Sequence, residues 1–283
     1  MTLYQKLRNE MENHRGFWNY YGVNFEDVFQ DEGVARDFIY NYFKGGSKLY
    51  ALDTWANSMN EYLQMRNVHT VNVFFIGAYL QRIIDENIAI KSEVSSHYPF
   101  SYIWYLLCLA HDFGYVYENY SKVYRVMAAG DFFRESIYEF HNERGLHFCS
   151  EQIKLFAYIA DCIASHNMYK ADDGCIAKYI DYSLNCLLPD EFEPVSYKDN
   201  PLLFILCVAD TIEPSKRFPD YRNEDVLNLI SIEYSLRDNF LYVEIDEELY
   251  DSEAGRRYVS DIDELEKWCD IKTNVMPKRL REC

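Results

Sequence analysis

The chain has 283 residues, of which 49% are hydrophobic and 17% aromatic, enough apolar side chains for a folded core and too many for a disordered chain. Its net charge of −18 and its sequence pI near 4.8 oppose binding to nucleic-acid polymers and to anionic membrane surfaces. A small anion held in a locally positive pocket remains compatible with this charge.

The cysteines and the N-terminal stretch indicate the cellular compartment in which we expect the protein. None of the eight cysteines forms a C-x-x-C pair, which argues against zinc-ribbon and thioredoxin patterns. Most lie in apolar runs such as LLCLA and ILCVAD, as buried reduced thiols do in cytosolic proteins. MTLYQKLRNEMENHRG has no apolar run of signal-peptide length, and no segment approaches about 18 consecutive apolar residues. We therefore expect a soluble, cytoplasmic protein without a membrane partner.

Helical periodicity dominates the chain up to about residue 235. Asp131 and Asn200 are suitable N-caps, and Pro201 fits the first turn of the helix that follows it. Five segments are long or apolar enough to predict helices: 68–84, 100–112, one that begins near Asp131, 151–166 and 202–213.

The pattern changes after Asn223. DVLNLI predicts a short helix, IEYSLRDNFLYVEI predicts two short strands around an Arg-Asp-Asn turn, and DIDELEKWCDI predicts a polar helix. The predicted fold is therefore mainly α, a helical bundle with a small α+β appendage of αββα order. We expect an N-terminal helical extension at 1–60, a core at 61–222 and the appendage at 223–283.

Histidine and aspartate side chains recur at or near these apolar helices. Helical bundles build metal sites by directing one or two nitrogen or oxygen ligands inward from each helix. Any one such histidine is more often an ordinary core residue, so the weight lies in the ordered set. The set consists of His69, His111, Asp112, His141, His166 and Asp210.

The order of these residues resembles the HD-domain superfamily of metal-dependent phosphohydrolases, whose pattern is H, then HD, then a distal D on a helical bundle. The matching stretches are VHTVNV, AHDFGY and VADTIEP, within residues 66–220. HNERG and ASHN resemble the additional histidine segments of the subgroup with two metals. VADTIEPSKRFPDY is similar to a segment of the bacterial HD hydrolases that split diadenosine tetraphosphate symmetrically.

The resemblance implies a role for each member of the set. His69, His111, Asp112 and Asp210 would bind the first metal, His141 and His166 the second, and Asp112 would bridge the two. The implied cofactors are two divalent ions, iron or manganese. Such a pair clamps a phosphate ester and lowers the pKa of a bridging water.

Further candidate residues follow from their position near the predicted metal ligands and from differences between this chain and the family pattern. Members often carry lysine where this chain has Tyr115, and the arginine expected after I-E-P-x is Lys216, with Arg217 next. Asp112, Tyr115 and Glu118 are the predicted catalytic residues, the last two as proton shuttles. Arg66, Lys216 and Arg217 are the predicted substrate-binding residues, for phosphate contacts.

The predicted function is hydrolysis of a phosphoester or phosphoanhydride in a small nucleotide-type substrate by a metal-activated water. The expected partners are that substrate and a second copy of the chain, with no nucleic-acid polymer. Two alternatives stay open: an HD-type mixed-valence di-iron oxygenase, and a non-catalytic nucleotide-sensing module. His14, His97 and His147 match nothing in the pattern, although His147 could replace His141.

Overall fold

The structure is a computed structural model, and its described residues fall into two compact units. The first unit comprises 1–71 with 89–193, and the second comprises 72–88 with 194–283. The division falls inside helix α1, Arg66–Ile84, after Val71. The three consecutive segments expected from the sequence stay a prediction. The described residues are 66–84, 103–104, 107–108, 110–112, 129–131, 133–135, 149–166, 194–218, 229–235 and 237–278.

Helix α2, Ser150–Ser165, is a 16-residue helix of the first unit. The side chain of Gln152 accepts a hydrogen bond from the backbone N–H of Cys149 at 3.1 Å, which satisfies a donor at the helix start. Its buried residues recur with helical spacing, so one face of the helix is apolar. They are Leu155, Phe156, Ile159, Ala160, Cys162 and Ile163.

A glycine sets how closely a neighbouring helical stretch approaches α2. Residues 129–131 and 133–135 are helical, and Phe133 packs edge-on against Phe156 with ring centroids 6.3 Å apart. A Cβ atom on Gly130 would lie 2.7 Å from the carbonyl oxygen of Ala160. The contact is therefore backbone against backbone, and any larger residue at 130 must push the two elements apart.

Helix α3, Pro201–Ile212, belongs to the second unit and is buried along almost its whole length. The side chain of Asn200 accepts a hydrogen bond from the N–H of Leu203 at 3.1 Å, and Pro201 occupies the first turn. The predicted cap and first-turn proline are confirmed. Because the helix is apolar on all sides, it needs partners all around it.

The second unit contains a three-stranded mixed sheet in the order β1-β2-β3. Strand β1, Ile230–Ser235, runs antiparallel to β2, Phe240–Asp246, with Ile230 opposite Ile245. Strand β3, Lys272–Lys278, runs parallel to β2. Alternate residues of β2 are buried, as expected for a sheet with one core face.

The two strands predicted around the Arg-Asp-Asn turn are confirmed, and a residue with positive φ explains the turn. Asn239 has φ 51°, a left-handed conformation that asparagine tolerates better than most residues. Its side-chain Nδ2 donates to the backbone carbonyl of Asp270, and its side-chain Oδ1 accepts from the Tyr234 hydroxyl. The hairpin is thereby joined to the segment that leads into β3.

The parallel strands β2 and β3 are connected by helical elements. Helix α4, Glu247–Tyr250, helix α5, Glu253–Asp263, and a 3₁₀ turn, Glu264–Lys267, lie between them. The Tyr258 hydroxyl on α5 donates to the carbonyl of Ile212 at 2.6 Å, which joins α5 to the end of α3. Backbone bonds also connect Val195 with Trp268 and Asp270.

The predicted fold class, a mainly α HD-type bundle with an αββα appendage, is wrong for the described residues. They form an α+β structure, and they give no clear evidence of an HD bundle. Apolar periodicity predicted which helices are buried, but α3 packs against α5 in the unit that also holds the sheet. The order after residue 229 is ββααβ, because KTNVMPK forms a third strand and DIDELEKWCDI ends its α-helix at Asp263.

Two further sequence predictions concern membranes and thiols. No helix among the described residues is long and apolar enough to cross a membrane. Five free cysteines are described, of which Cys149 is exposed and the other four are buried. The buried four, at 108, 162, 207 and 269, agree with the expectation of thiols in apolar surroundings.

Candidate metal centre

Two histidines and an aspartate come together in the first unit. His69 lies in the first turns of α1. His111 and Asp112 follow a stretch whose described residues are helical, and the N–H of His111 still bonds the carbonyl of Leu107 at 3.0 Å. The helical register therefore continues up to the turn that presents His111 and Asp112. One ligand atom from each of the three lies within 4.8 Å of the others.

The distances within this group suit a shared ion. His111 Nε2 lies 3.4 Å from His69 Nε2, and the Asp112 carboxylate lies 3.6 Å from His69 Nε2 and 3.7 Å from His111 Nε2. Ligand atoms about 2.1 Å from one metal are separated by roughly 3 to 3.5 Å in octahedral or tetrahedral geometry. Both His–Asp distances exceed the usual hydrogen-bond length of about 2.7 to 3.2 Å. The distances among these three side chains therefore suit ligand atoms that surround one metal ion.

The hydrogen bond of His111 determines its tautomer. Its Nδ1 lies 2.8 Å from the carbonyl oxygen of Cys108. A carbonyl oxygen only accepts, so Nδ1 carries the proton and the neutral ring has its lone pair on Nε2. Metal-binding histidines in proteins use this arrangement, with one ring nitrogen on a backbone carbonyl and the other on the metal. In this tautomer His111 could bind a metal through Nε2.

Burial adds an electrostatic argument for a cation. His69 and His111 are 1% exposed and Asp112 is 8% exposed. A carboxylate held away from water is stabilised by nearby positive charge. A divalent ion would supply that charge. The donor set of two imidazoles and one carboxylate also suits iron, manganese and zinc.

His166 lies beside this group, at the end of α2. Its ring centroid is 5.5 Å from that of His111, and the side chain is fully buried. Its Nδ1 lies 2.6 Å from the carbonyl oxygen of Ile163, so His166 also has its lone pair on Nε2. His166 and His111 share one local design, a histidine at a helix end that donates to the carbonyl three residues earlier.

Asp210, the distal aspartate of the predicted set, lies in the second unit on α3. Its buried carboxylate accepts a hydrogen bond from Lys216 Nζ at 2.8 Å. Arg217 pairs with Asp261 on α5. The predicted roles of Asp210 in metal binding and of Lys216 and Arg217 in phosphate binding stay predictions.

The remaining predicted residues lie outside what the structure describes. His141, Tyr115 and Glu118 are not among the described residues. Arg66 begins α1, but its side chain is not described. The second half of the metal ligand set and the proton shuttles therefore stay predictions.

A buried carboxylate that sequence reasoning did not single out is Glu213, at the end of α3. Its Oε1 accepts from Asn72 Nδ2 at 2.8 Å and from the N–H of Ser215 at 2.9 Å. Its Oε2 accepts from the Ser215 hydroxyl at 2.7 Å. Burial raises the pKa of Tyr258 well above its ordinary value, and the Glu213 carboxylate raises it further. The I-E-P-S stretch is the signal for this contact in the sequence. A serine two residues after a glutamate, with a proline between them, can donate back to the carboxylate in a turn.

Comparison of the chain with family models, with curated proteins and with solved structures found no match. The likeness to HD-domain proteins thus depends on the quoted motifs. The physical case for a metal depends on the geometry of His69, His111 and Asp112.

Proposed function

We propose that this protein is a metal-dependent phosphohydrolase that acts on a small phosphorylated substrate of nucleotide type. The observation that carries the proposal is the buried group of His69, His111 and Asp112, whose ligand atoms converge within 4.8 Å. The HD-like order of these residues in the sequence adds support. Hydrolysis of a phosphoester is the reaction that the resemblance implies for such a group.

Each residue of the group has a task that follows from its surroundings. His69 and His111 would supply neutral nitrogen ligands, and the Cys108 carbonyl keeps the His111 ring in the required tautomer. Asp112 would supply a negative oxygen ligand and lower the net charge of the loaded site. When bound, a divalent ion polarises a phosphate oxygen and makes hydroxide available near neutral pH.

A second ion is part of the proposal. His166 and His141 would hold it, with Asp112 as the bridge. The support from the described residues is the position of the His166 ring, 5.5 Å from that of His111, and its Nε2 lone pair. A carboxylate that serves both ions makes Asp112 the residue whose loss should be most damaging.

The substrate class follows from charge. With a net charge of −18, the protein as a whole repels polyanions, so a long nucleic acid is disfavoured. A site with two divalent ions would still be locally positive and would attract a compact phosphate. The nucleotide part of the proposal depends on the likeness of VADTIEPSKRFPDY to the diadenosine tetraphosphate hydrolases.

One observation favours a second candidate function. Two histidines and one carboxylate also form the ligand set of mononuclear Fe(II) oxygenases, which leave positions open for dioxygen. The described group, taken alone, has this composition. Iron-dependent oxygen uptake without phosphate release would therefore select an oxygenase.

The test combines metal content with turnover. We would load the full-length protein with Fe(II) or Mn(II) in separate experiments, measure bound metal by elemental analysis, and assay phosphate release from dinucleoside polyphosphates, cyclic dinucleotides, nucleotides and an aryl phosphate. We expect about two equivalents of metal and hydrolysis of at least one nucleotide. His166→Ala should lose mainly one equivalent, and His69→Ala should lose the first-metal site.

His14→Ala is the matched control, because His14 lies outside the proposed ligand set. It should keep both the metal content and the turnover of the parent protein. A protein that takes up no metal on titration would refute the site. Bound metal without hydrolysis of any substrate in the panel would refute the phosphohydrolase assignment while keeping the metal site.

A further inference from the structure

A groove of about 700 Å³ lies in the second unit, between the turn after α3 and one face of α5. The turn contributes Lys216 and Arg217. The α5 face contributes Glu253, Arg257 and Asp261, which follow one another at intervals of four residues and so share one side of the helix. Three cationic and two anionic side chains thus line one concave surface.

The two arginines of the groove are held by carboxylates. Arg217 Nε and Nη2 both contact Oδ2 of Asp261, and Arg257 Nη2 contacts Oε1 of Glu253 at 2.5 Å. A guanidinium has five N–H donors in a planar fork, so a carboxylate on one edge orients the donors of the opposite edge. The carboxylates therefore reduce the freedom of both arginines and leave the opposite edges suited to a second oxyanion.

The exposure of these pairs sets their strength. Arg217 and Asp261 are 39% and 35% exposed at the side chain, and Arg257 and Glu253 are 71% and 75% exposed. Ion pairs in contact with water contribute little to stability. An incoming anion can thus share each arginine with its carboxylate, or replace the carboxylate, without a large cost.

We propose that this groove binds a small oligophosphate, with Arg217 and Arg257 contacting different phosphate groups from the turn and from α5. Arginine forks match phosphate oxygens bidentately, and the two arginines come from separate elements that face one space. A chain of phosphates can reach both, and a single phosphate can engage one. The inference does not require the metal centre, since all of the groove residues belong to the second unit.

A cationic ligand is the competing possibility, because Glu253 and Asp261 also line the groove. Each of these carboxylates already accepts from an arginine, so a cation would have to compete with a guanidinium for it. The cations of the lining outnumber its carboxylates, although Lys216 is engaged with Asp210. With Lys216 engaged, two arginines face two carboxylates, and the donor geometry of the two arginine forks favours an anion.

Neighbouring arginines on α5 provide a matched comparison. Arg256 precedes Arg257, does not line the groove, and donates to the carbonyl of Asp251. Arg256→Ala and Arg257→Ala remove the same charge from adjacent positions of one helix. Arg217→Lys keeps the charge of Arg217 but removes its fork.

The experiment is isothermal titration of the full-length protein with tripolyphosphate, in EDTA so that bound divalent metal makes no contribution. We expect Arg257→Ala and Arg217→Ala each to weaken binding about tenfold to a hundredfold, the range for a lost charge-assisted hydrogen bond. Arg217→Lys should recover only part of the loss. Orthophosphate should bind more weakly than tripolyphosphate, and Arg256→Ala should change the affinity less than about threefold.

Three results would overturn the inference. They are no binding of tripolyphosphate to the parent protein, equal losses in Arg256→Ala and Arg257→Ala, and binding of spermidine that is lost in Asp261→Asn. Circular dichroism and thermal unfolding of each variant show whether a loss of binding reflects a loss of folding. Because EDTA removes metal, failure here and failure of the proposed hydrolase are separate outcomes.

Discussion

The two units each bury a carboxylate, and they treat it differently. In the second unit, Glu213 receives three hydrogen bonds of 2.7 to 2.9 Å from Asn72 and Ser215. In the first unit, Asp112 lies 3.6 and 3.7 Å from the Nε2 atoms of His69 and His111. The contacts of Glu213 are ordinary hydrogen bonds, whereas the atoms of Asp112, His69 and His111 are spaced as ligands of one shared ion would be.

The largest expected contrast is between Asp112→Asn and Glu213→Gln. Both substitutions keep the shape of the side chain and remove its charge. Asp112→Asn should lose bound metal and all metal-dependent activity, because an amide is a poor ligand and cannot bridge two ions. Glu213→Gln should keep its metal and lose about 1 to 3 kcal/mol of unfolding free energy, because it replaces charged hydrogen bonds with neutral ones.

Elemental analysis and urea unfolding of the metal-free proteins measure the two effects separately. Metal loss in Glu213→Gln that equals the loss in Asp112→Asn would remove the distinction. A metal-free Asp112→Asn protein that is as unstable as Glu213→Gln would make Asp112 a structural carboxylate too.

The next effect compares a glycine from each unit. A Cβ on Gly255 would lie 1.9 Å from the Leu249 carbonyl oxygen, whereas a Cβ on Gly130 would lie 2.7 Å from that of Ala160. Both neighbours are backbone atoms, so neither clash is relieved by a side-chain rotation. Gly255→Ala should cost more than about 3 kcal/mol of stability, and Gly130→Ala about 1 to 3 kcal/mol.

Urea unfolding of both variants gives the two values. Ala254→Gly, next to Gly255 on α5, is the control for the glycine position and should cost at most about 1 kcal/mol through helix propensity. If Gly255→Ala loses less unfolding free energy than Gly130→Ala, then α4 can move away from α5 more easily than the helical stretch around Gly130 can move away from α2.

Tyr258→Phe tests a single buried hydrogen bond and has a pH dependence of known sign. The variant leaves the Ile212 carbonyl without its donor, so it should cost about 1 to 3 kcal/mol at pH 8. Since the pKa of folded Tyr258 is raised above 10.0, the unfolded phenol ionises first as pH rises. The unfolded state then binds fewer protons, and the parent protein loses stability above pH 10 that the variant does not lose.

The advantage of the parent protein over Tyr258→Phe should therefore shrink by about 0.8 kcal/mol between pH 8 and pH 10.5. Urea unfolding of both proteins at the two pH values measures this difference. Burial also raises the pKa of Tyr234 to about 12, but that contribution is common to both proteins and cancels. An advantage that grows with pH would contradict the assigned direction.

The smallest effects are expected at exposed ion pairs, in either unit. Arg134 pairs with Asp131 and Asp161 in the first unit, and Arg257 pairs with Glu253 in the second. Arg134→Ala and Arg257→Ala should each change stability by less than about 1 kcal/mol, and by less still in 1 M salt. A larger loss in Arg134→Ala would show that its two partners act as a network.

The sequence indicated several local features of the molecule correctly, although Asp131 lies inside its helix, after Ala129 and Gly130, and is not the predicted N-cap. The Asn200 cap and Pro201 of α3 follow from backbone hydrogen bonding and from the fixed φ of proline, and the hairpin around Asn239 follows from turn chemistry. The position of His111 and Asp112 at a helix end was also predictable, because the apolar stretch before them ends at these two residues. None of these features requires knowledge of distant residues.

Only the tertiary structure decided how the elements combine. KTNVMPK has an asparagine and a proline, and it becomes β3 because its backbone pairs with β2 and its proline is tolerated at an edge. The apolar surface of α3 determined that it is buried but not that α5 covers it, because burial of apolar surface is non-directional. The contacts of Glu213 with Asn72, and those of His69 with His111, join residues far apart in the chain, and such contacts are specified by the packed fold as a whole.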